Sequence, residues 1–164
     1  MPDIRPAEFP QHLDLARGLF RDYAASLGIS LEFQDFESEL ADLPGDYAPP
    51  AGRILLAWQE GQAVGCVALR PLEDGICEMK RLYVSPIARA SGLGRRLANR
   101  ICMEARAAGY RRMRLDTLAS MTAARRLYAA IGFLPIPAYC YNPVPGAIFL
   151  DLDLSEPART KQTP

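Results

Sequence analysis

The stretch Glu-Met-Lys-Arg-Leu-Tyr-Val-Ser-Pro-Ile-Ala-Arg-Ala-Ser-Gly-Leu-Gly-Arg-Arg-Leu, from Glu78 to Leu97, decides how the chain is read. It opens as a strand that stops at Ser85-Pro86, runs through a short loop, turns around Gly92 and Gly94, and starts a long helix. Two close glycines at a helix start leave several backbone N–H groups unpaired, with nothing bulky over them. Together with the positive end of the helix dipole, those donors suit a phosphate-bearing ligand. Arg89, Arg95 and Arg96 bring cationic side chains to the same place.

On either side of this stretch the pattern alternates between strands and helices. Asp3-Ile-Arg-Pro is a short edge strand. Phe9, Leu13, Ala16, Phe20, Tyr23 and Leu27 recur at helical spacing and predict a helix over Phe9 to Leu27, capped by Gly28. A shorter helix fits Glu32 to Leu43, and a Pro-rich loop follows. Arg53 to Glu60, Ala63 to Arg70 and Ile76 to Val84 are strands joined by tight turns at Gly61 and Gly75, which implies an antiparallel meander. Leu93, Leu97, Ile101, Ala105 and Ala108 mark the helix after the glycine turn, ended by Gly109. The next strand, Arg112 to Thr117, follows a crossover long enough to set it parallel to the strand before that helix. Ser120 is placed to N-cap a further helix through Ile131, and Phe133 to Tyr141 and Ala147 to Asp153 are the last strands.

The fold class is therefore α+β, with a mixed, mostly antiparallel sheet of six to seven strands and about four flanking helices. One domain is expected over residues 1–155 and a loose polar tail over 156–164.

Lys and Arg total 19 against 19 Asp and Glu, so the net charge is zero and no nucleic-acid partner is expected. No apolar run approaches the length of a membrane span, and no signal peptide is visible, so no membrane partner and a cytoplasmic location are expected. Cys66, Cys77, Cys102 and Cys140 have neither metal-ligand nor redox spacing, and no metal is expected. The segment Glu32 to Asp46 carries six acidic residues and no Lys or Arg. It is either a solvated helix face or a rim that attracts a cationic amine.

Two familiar phosphate loops fail on this sequence. No Gly-x-x-x-x-Gly-Lys-Ser/Thr run exists, and Leu97 stands where a dinucleotide fingerprint needs its third glycine. The pattern Arg/Gln-x-x-Gly-x-Gly/Ala is met by Arg89-Ala-Ser-Gly92-Leu-Gly94. It is followed, after helix and strand, by Ala124-x-x-Leu-Tyr128-x-x-x-Gly132-Phe133. In these motifs and their spacing the chain resembles the GNAT superfamily of acetyl-CoA-dependent N-acetyltransferases, over nearly its whole length.

The resemblance implies acetyl-CoA as cosubstrate. Backbone groups of Arg89, Ala90, Ser91, Gly92, Leu93, Gly94 and Arg95 would hold its pyrophosphate. Its pantetheine arm would lie along Leu82, Tyr83 and Val84 as an added strand, with a backbone N–H near Val84 as oxyanion donor. Tyr128 would meet the departing thiolate. Glu78 would take the amine proton, unless it is a structural carboxylate paired with Lys80, two residues on; Asp116 is its competitor. Where relatives often carry an asparagine contacting pantetheine, this chain has Met121, with Ser120 beside it.

The implied reaction is direct acetyl transfer in a ternary complex to a primary amine of a small molecule. A non-catalytic acyl-CoA sensor, a protein N-terminus as acceptor, or a longer acyl chain are the alternatives. The first two helices and the loop Ala138 to Gly146 would form the acceptor pocket, with Tyr23, Tyr47, Tyr139 and Tyr141 as lining candidates. A homodimer is left open.

Overall fold

A computed structural model describes residues 1–155; the expected tail, 156–164, lies outside the described residues. The strands are β1 (Asp3–Pro6), β2 (Arg53–Gln59), β3 (Gln62–Glu73), β4 (Ile76–Val84), β5 (Arg112–Leu118), β6 (Leu134–Ile136) and β7 (Ala147–Asp153). The helices are α1 (Leu13–Leu27), α2 (Phe36–Ala41), α3 (Leu93–Ala107) and α4 (Thr122–Ile131). All seven strands form one sheet in the order β1-β2-β3-β4-β5-β7-β6. Every neighbouring pair is antiparallel except β4 and β5, which are parallel, as the length of the α3 crossover predicts.

The sheet is covered on both faces, which is why β2 reads as an unbroken apolar run rather than an alternation. Leu55 and Ala57 point to the side of α3 and α4, where Leu97, Ile101, Met113, Leu115 and Tyr128 pack. Ile54 and Leu56 point to the side of α1 and α2, against Ala16, Phe20 and Leu40. The β2–β3 hairpin turns on Glu60 and Gly61, both at positive φ (51° and 77°), the two-residue geometry whose twist matches the strands.

Helix α3 buries Leu93, Leu97, Ala98, Ile101, Cys102 and Ala105. It approaches β3 so closely that a Cβ on Gly65 would lie 3.2 Å from the Leu97 side chain and 3.0 Å from the Tyr83 carbonyl oxygen. Leu97 is fully buried at the middle of this seam. Leu97→Ala should therefore lower unfolding free energy by about 3 kcal/mol, read by urea denaturation. A loss under about 1 kcal/mol would mean the seam closes over the gap.

Four boundaries differ from the sequence expectation. Helix α1 starts at Leu13, not Phe9, because Pro10 lacks an N–H and restricts Phe9 to extended backbone. The expected Glu32–Leu43 helix is broken into a 3-10 turn, Glu32–Gln34, and α2, with Asp35 left-handed (φ 55°) between them. Strand β6 is three residues long, since Pro135 and Pro137 cannot donate to a ladder. Ser120 does not cap α4: Met121 holds the N-cap position with no side-chain bond, after the Met121 N–H turns back to the Leu118 carbonyl oxygen.

Candidate active site

The sheet opens at its centre. Strands β4 and β5 pair only at Ile76–Arg112, Cys77–Met113 and Glu78–Arg114, yet β4 continues to Val84 and β5 to Leu118. Beyond Glu78 the two strands splay into a wedge, leaving the β5-facing edge of β4 without a strand partner. A β-bulge on the other edge contributes to this divergence. Cys66 faces Tyr83 and Ala68 faces Lys80, so Arg81 and Leu82 together oppose Val67, and Arg81 takes φ 62°.

A cleft of about 780 Å³ lies at the mouth of the wedge. One wall is Leu82, Tyr83 and Val84. The floor is Ala88 to Ala90 with Gly92 to Arg95, and the far wall is Ser120 to Ala124 with Arg126 and Leu127. The chain reaches the floor through the Ser85 N–H, which donates to the Val64 carbonyl oxygen (2.8 Å), and a 3-10 turn at Pro86–Ala88.

Ala90 (φ 64°) and Gly92 (φ 76°) are left-handed, which curls the loop back over the start of α3. Gly92 is the N-cap and carries no capping side chain. The Arg96 N–H bonds back to the Gly92 carbonyl oxygen, so the N–H groups of Leu93, Gly94 and Arg95 have no helical carbonyl to reach. Arg89 and Arg95 line the cleft. Arg89 also donates Nε to the Val84 carbonyl oxygen at 3.1 Å and lies over the Tyr83 ring.

Arg96, expected at the same spot, is turned to the Pro2 carbonyl oxygen (2.7 Å) and ties the N-terminal segment to α3. Its neighbour Arg95 is one helical step round, so only one of the pair can face the cleft. Arg126 supplies a cation the sequence did not single out. Its signal was its place in α4 next to Leu127, legible only once that helix is set against the glycine turn.

At the foot of the wedge is a small cavity of about 20 Å³, bounded by Tyr23, Lys80, Leu82, Asp116, Thr117, Met121 and Tyr128 among others. Tyr128 comes from α4, is 6% exposed, and packs edge-on against Phe133. Burial pushes its pKa well above the usual tyrosine value, so the hydroxyl keeps its proton. Ser120 and Met121 both line the large cleft.

Glu78 is 2% exposed and sits where the two strands are still paired. One oxygen accepts Nε and Nη2 of Arg70, both at 2.9 Å, and the other accepts the Tyr139 hydroxyl at 2.6 Å. Its structural partner is thus Arg70 and not Lys80. Arg70 lies directly across the antiparallel β3–β4 register from Glu78, closer than a residue two positions along the same strand. Burial and the Glu78 charge hold the Tyr139 hydroxyl protonated as the donor.

Lys80 instead donates Nζ to Gln34 Oε1 at 3.0 Å and stands 3.9 Å from Asp116 Oδ1. Burial pushes its pKa down, with Glu78 opposing that shift. Cys77 faces the other core, and burial pushes its thiol far up, so it is not poised as a nucleophile.

In the acidic segment only Glu39 is drawn inward, while Glu32, Asp35, Glu37, Asp42 and Asp46 are exposed. Glu39 takes a two-pronged bond from Arg81, 2.9 Å at each oxygen, and accepts the Tyr47 hydroxyl, while Glu37 pairs with Arg21. Tyr47 is core, and Tyr141 is 75% exposed. Of the four tyrosines considered, Tyr23 borders both the large cleft and the inner cavity.

The family model for the acetyltransferase (GNAT) family matches residues 16–133, which take in the glycine turn, the wedge and Tyr128. The chain belongs to the GNAT family. An uncharacterized N-acetyltransferase of Schizosaccharomyces pombe is 40% identical over 155 residues, 93% of this chain and 95% of that protein. Among solved structures, a GNAT acetyltransferase of Staphylococcus aureus superposes with a TM-score of 0.78 at 18% identity, over 94% of this chain and 99% of that one. YncA of Salmonella typhimurium, solved with its cofactor acetyl-CoA, superposes at 0.68 and 20% identity over 99% of both chains. The GNAT fold accounts for the seven-stranded sheet and for the parallel pair at its centre.

Proposed function

We propose that this GNAT protein transfers the acetyl group of acetyl-CoA to a primary amine of a small molecule, by direct attack in a ternary complex. The observation that carries this is the wedge: an open strand edge, Leu82 to Val84, leading from the uncapped start of α3 to a buried tyrosine. The neighbour solved with acetyl-CoA supports that cofactor for the same fold.

In this scheme the N–H groups at Arg89 to Arg95 hold the pyrophosphate, helped by the helix dipole and the Arg89 and Arg95 side chains. The pantetheine amides pair with the free edge of β4, which brings the thioester to Tyr128. The amine nitrogen attacks the thioester carbon, the oxyanion is held by a backbone N–H near Val84, and the C–S bond breaks. The leaving thiolate meets the Tyr128 hydroxyl. A phenol whose pKa is raised is a weaker acid than a thiol, so Tyr128 stabilises the thiolate chiefly by donating a hydrogen bond.

The amine must shed a proton to react, since a free alkylamine is charged near neutral pH. Glu78 is the base, reached through the Tyr139 hydroxyl, which can pass one proton to Glu78 while taking another from the amine or a water. One observation favours Asp116 as a second candidate: it lines the inner cavity at the foot of the wedge, and Glu78 does not.

A thiol-release assay with acetyl-CoA and pooled primary amines tests the scheme. Wild-type protein should release CoA, and Glu78→Gln should lower kcat by about 100-fold. If Asp116→Asn shows that loss and Glu78→Gln does not, the base is Asp116. Tight acetyl-CoA binding with no release against any amine would replace catalysis with a sensor role.

A further inference from the structure

Arg126 is a cation in the large cleft to which the acetyl-transfer scheme gives no task. That scheme sets Arg89 and Arg95 on the pyrophosphate, and both belong to the floor of the cleft around the start of α3. Arg126 comes from α4, on the far wall. The two helices meet here: a Cβ on Gly94 would lie 4.0 Å from the Leu127 side chain, so the glycine turn touches α4 one residue from Arg126. The neighbouring Arg125 is not part of the wall, and its Nη1 donates to the Ala119 carbonyl oxygen at 3.0 Å.

No Asp or Glu lines this cleft. Among the described residues Arg89, Arg95 and Arg126 form no ion pair, whereas Arg70, Arg81, Arg112 and Arg114 each meet a carboxylate. Lys and Arg equal Asp and Glu over the whole chain, so three arginines with no acid beside them are a local excess, suited to more than one anionic group. CoA carries two such groups. One is the pyrophosphate. The other is a monoester on the ribose 3′ oxygen, with a charge of about −1.5 to −2 at neutral pH.

We propose that Arg126 binds the ribose 3′-phosphate and makes the cleft select CoA over donors that lack this group. The proposal rests on the acetyl-CoA reading above. Tyr128 is buried at the wedge foot, where the thioester end would lie, whereas Arg126, two positions earlier on α4, is exposed on another side of the helix. The nucleoside is the opposite end of the ligand, and an exposed rim is where it would rest. A planar guanidinium can meet two phosphate oxygens at once, which an ammonium or an amide cannot match.

Calorimetry of CoA and of 3′-dephospho-CoA into wild type, Arg126→Gln and Arg95→Gln tests this. Wild type should bind CoA about 10-fold more tightly than dephospho-CoA. Arg126→Gln should weaken CoA about 10-fold and leave dephospho-CoA within about twofold, which also shows that the variant is folded. Arg95→Gln should weaken both ligands alike. Equal affinities in wild type would overturn the proposal, and so would an equal loss of both ligands in Arg126→Gln, which would move Arg126 to the pyrophosphate. Either result leaves the CoA site standing. If wild type binds neither ligand, the acetyl-CoA reading falls and the role of Arg126 falls with it.

Discussion

Gly92→Asp is expected to raise the acetyl-CoA dissociation constant by at least about 100-fold, measured by isothermal titration calorimetry. Gly92 is the N-cap of α3 at φ 76°, and its ideal Cβ would meet nothing within 4 Å. A side chain there projects into open space, where the proposed pyrophosphate sits. Asp places a negative charge against it and competes for the free N–H groups of the first turn. Backbone strain is the smaller part, because Asp and Asn enter the left-handed region at a cost of about 1 kcal/mol. Gly92→Asn isolates that part, as it keeps the shape and omits the charge, so it should lose far less affinity. Unchanged binding by Gly92→Asp would remove the glycine turn from the cofactor site.

Tyr128→Phe should lower kcat by about 100-fold while the acetyl-CoA dissociation constant stays within about twofold. The ring contacts with Phe133 survive the change, so folding stability should move little. Only the hydroxyl is lost, and with it the donor to the departing thiolate. Because burial raises the pKa of this phenol, it stays protonated as pH rises through the usual tyrosine range, and loss of its proton should not set the alkaline limb of the rate profile. A variant with wild-type kcat would take Tyr128 out of the chemistry and leave it as a core aromatic.

Much of the fold was legible because its signals are short-ranged. The turn at Gly92, the helix ends at Gly28 (φ 67°) and Gly132 (φ 118°), and the hairpin at Gly61 each depend on a backbone conformation that few residues adopt. The apolar spacing of α3 and the tight turns of the β2–β3–β4 meander give element type and order from neighbours a few positions away. The errors fell where local rules compete. Pro10 cut short a good helical period at Phe9, Asp35 went left-handed inside an acidic helical pattern, and prolines reduced β6 to three residues.

The candidate site divides in the same way. The motif residues Arg89 to Arg95 and Tyr128 could be picked out along the chain; the structure brings all of the turn but Ser91, whose hydroxyl bonds to the Ala88 carbonyl oxygen, to the cleft mouth, and Tyr128 to the wedge foot. The partner of Glu78 could not. Spacing along one strand suggested Lys80, whereas the cross-strand register set Arg70 opposite and a loop 61 residues away supplied Tyr139. Arg81 meets Glu39 across 42 residues, and Lys80 meets Gln34 across 46. No periodicity reports such contacts.

By itself the sequence determined the element order, the phosphate-type turn and the signature tyrosine, since these arise from backbone sterics and helical or strand periodicity within a few residues. The tertiary structure alone decided where β4 and β5 part, because a strand's pairing ends only when the helices and the Arg81 bulge pull its two edges in different directions. It also decided which buried charges neutralise each other and which are left facing the cavity. Lys80 and Asp116 are unremarkable in sequence. Folding places them 3.9 Å apart as a buried ion pair beside the inner cavity, where low dielectric strengthens the attraction of opposite charges.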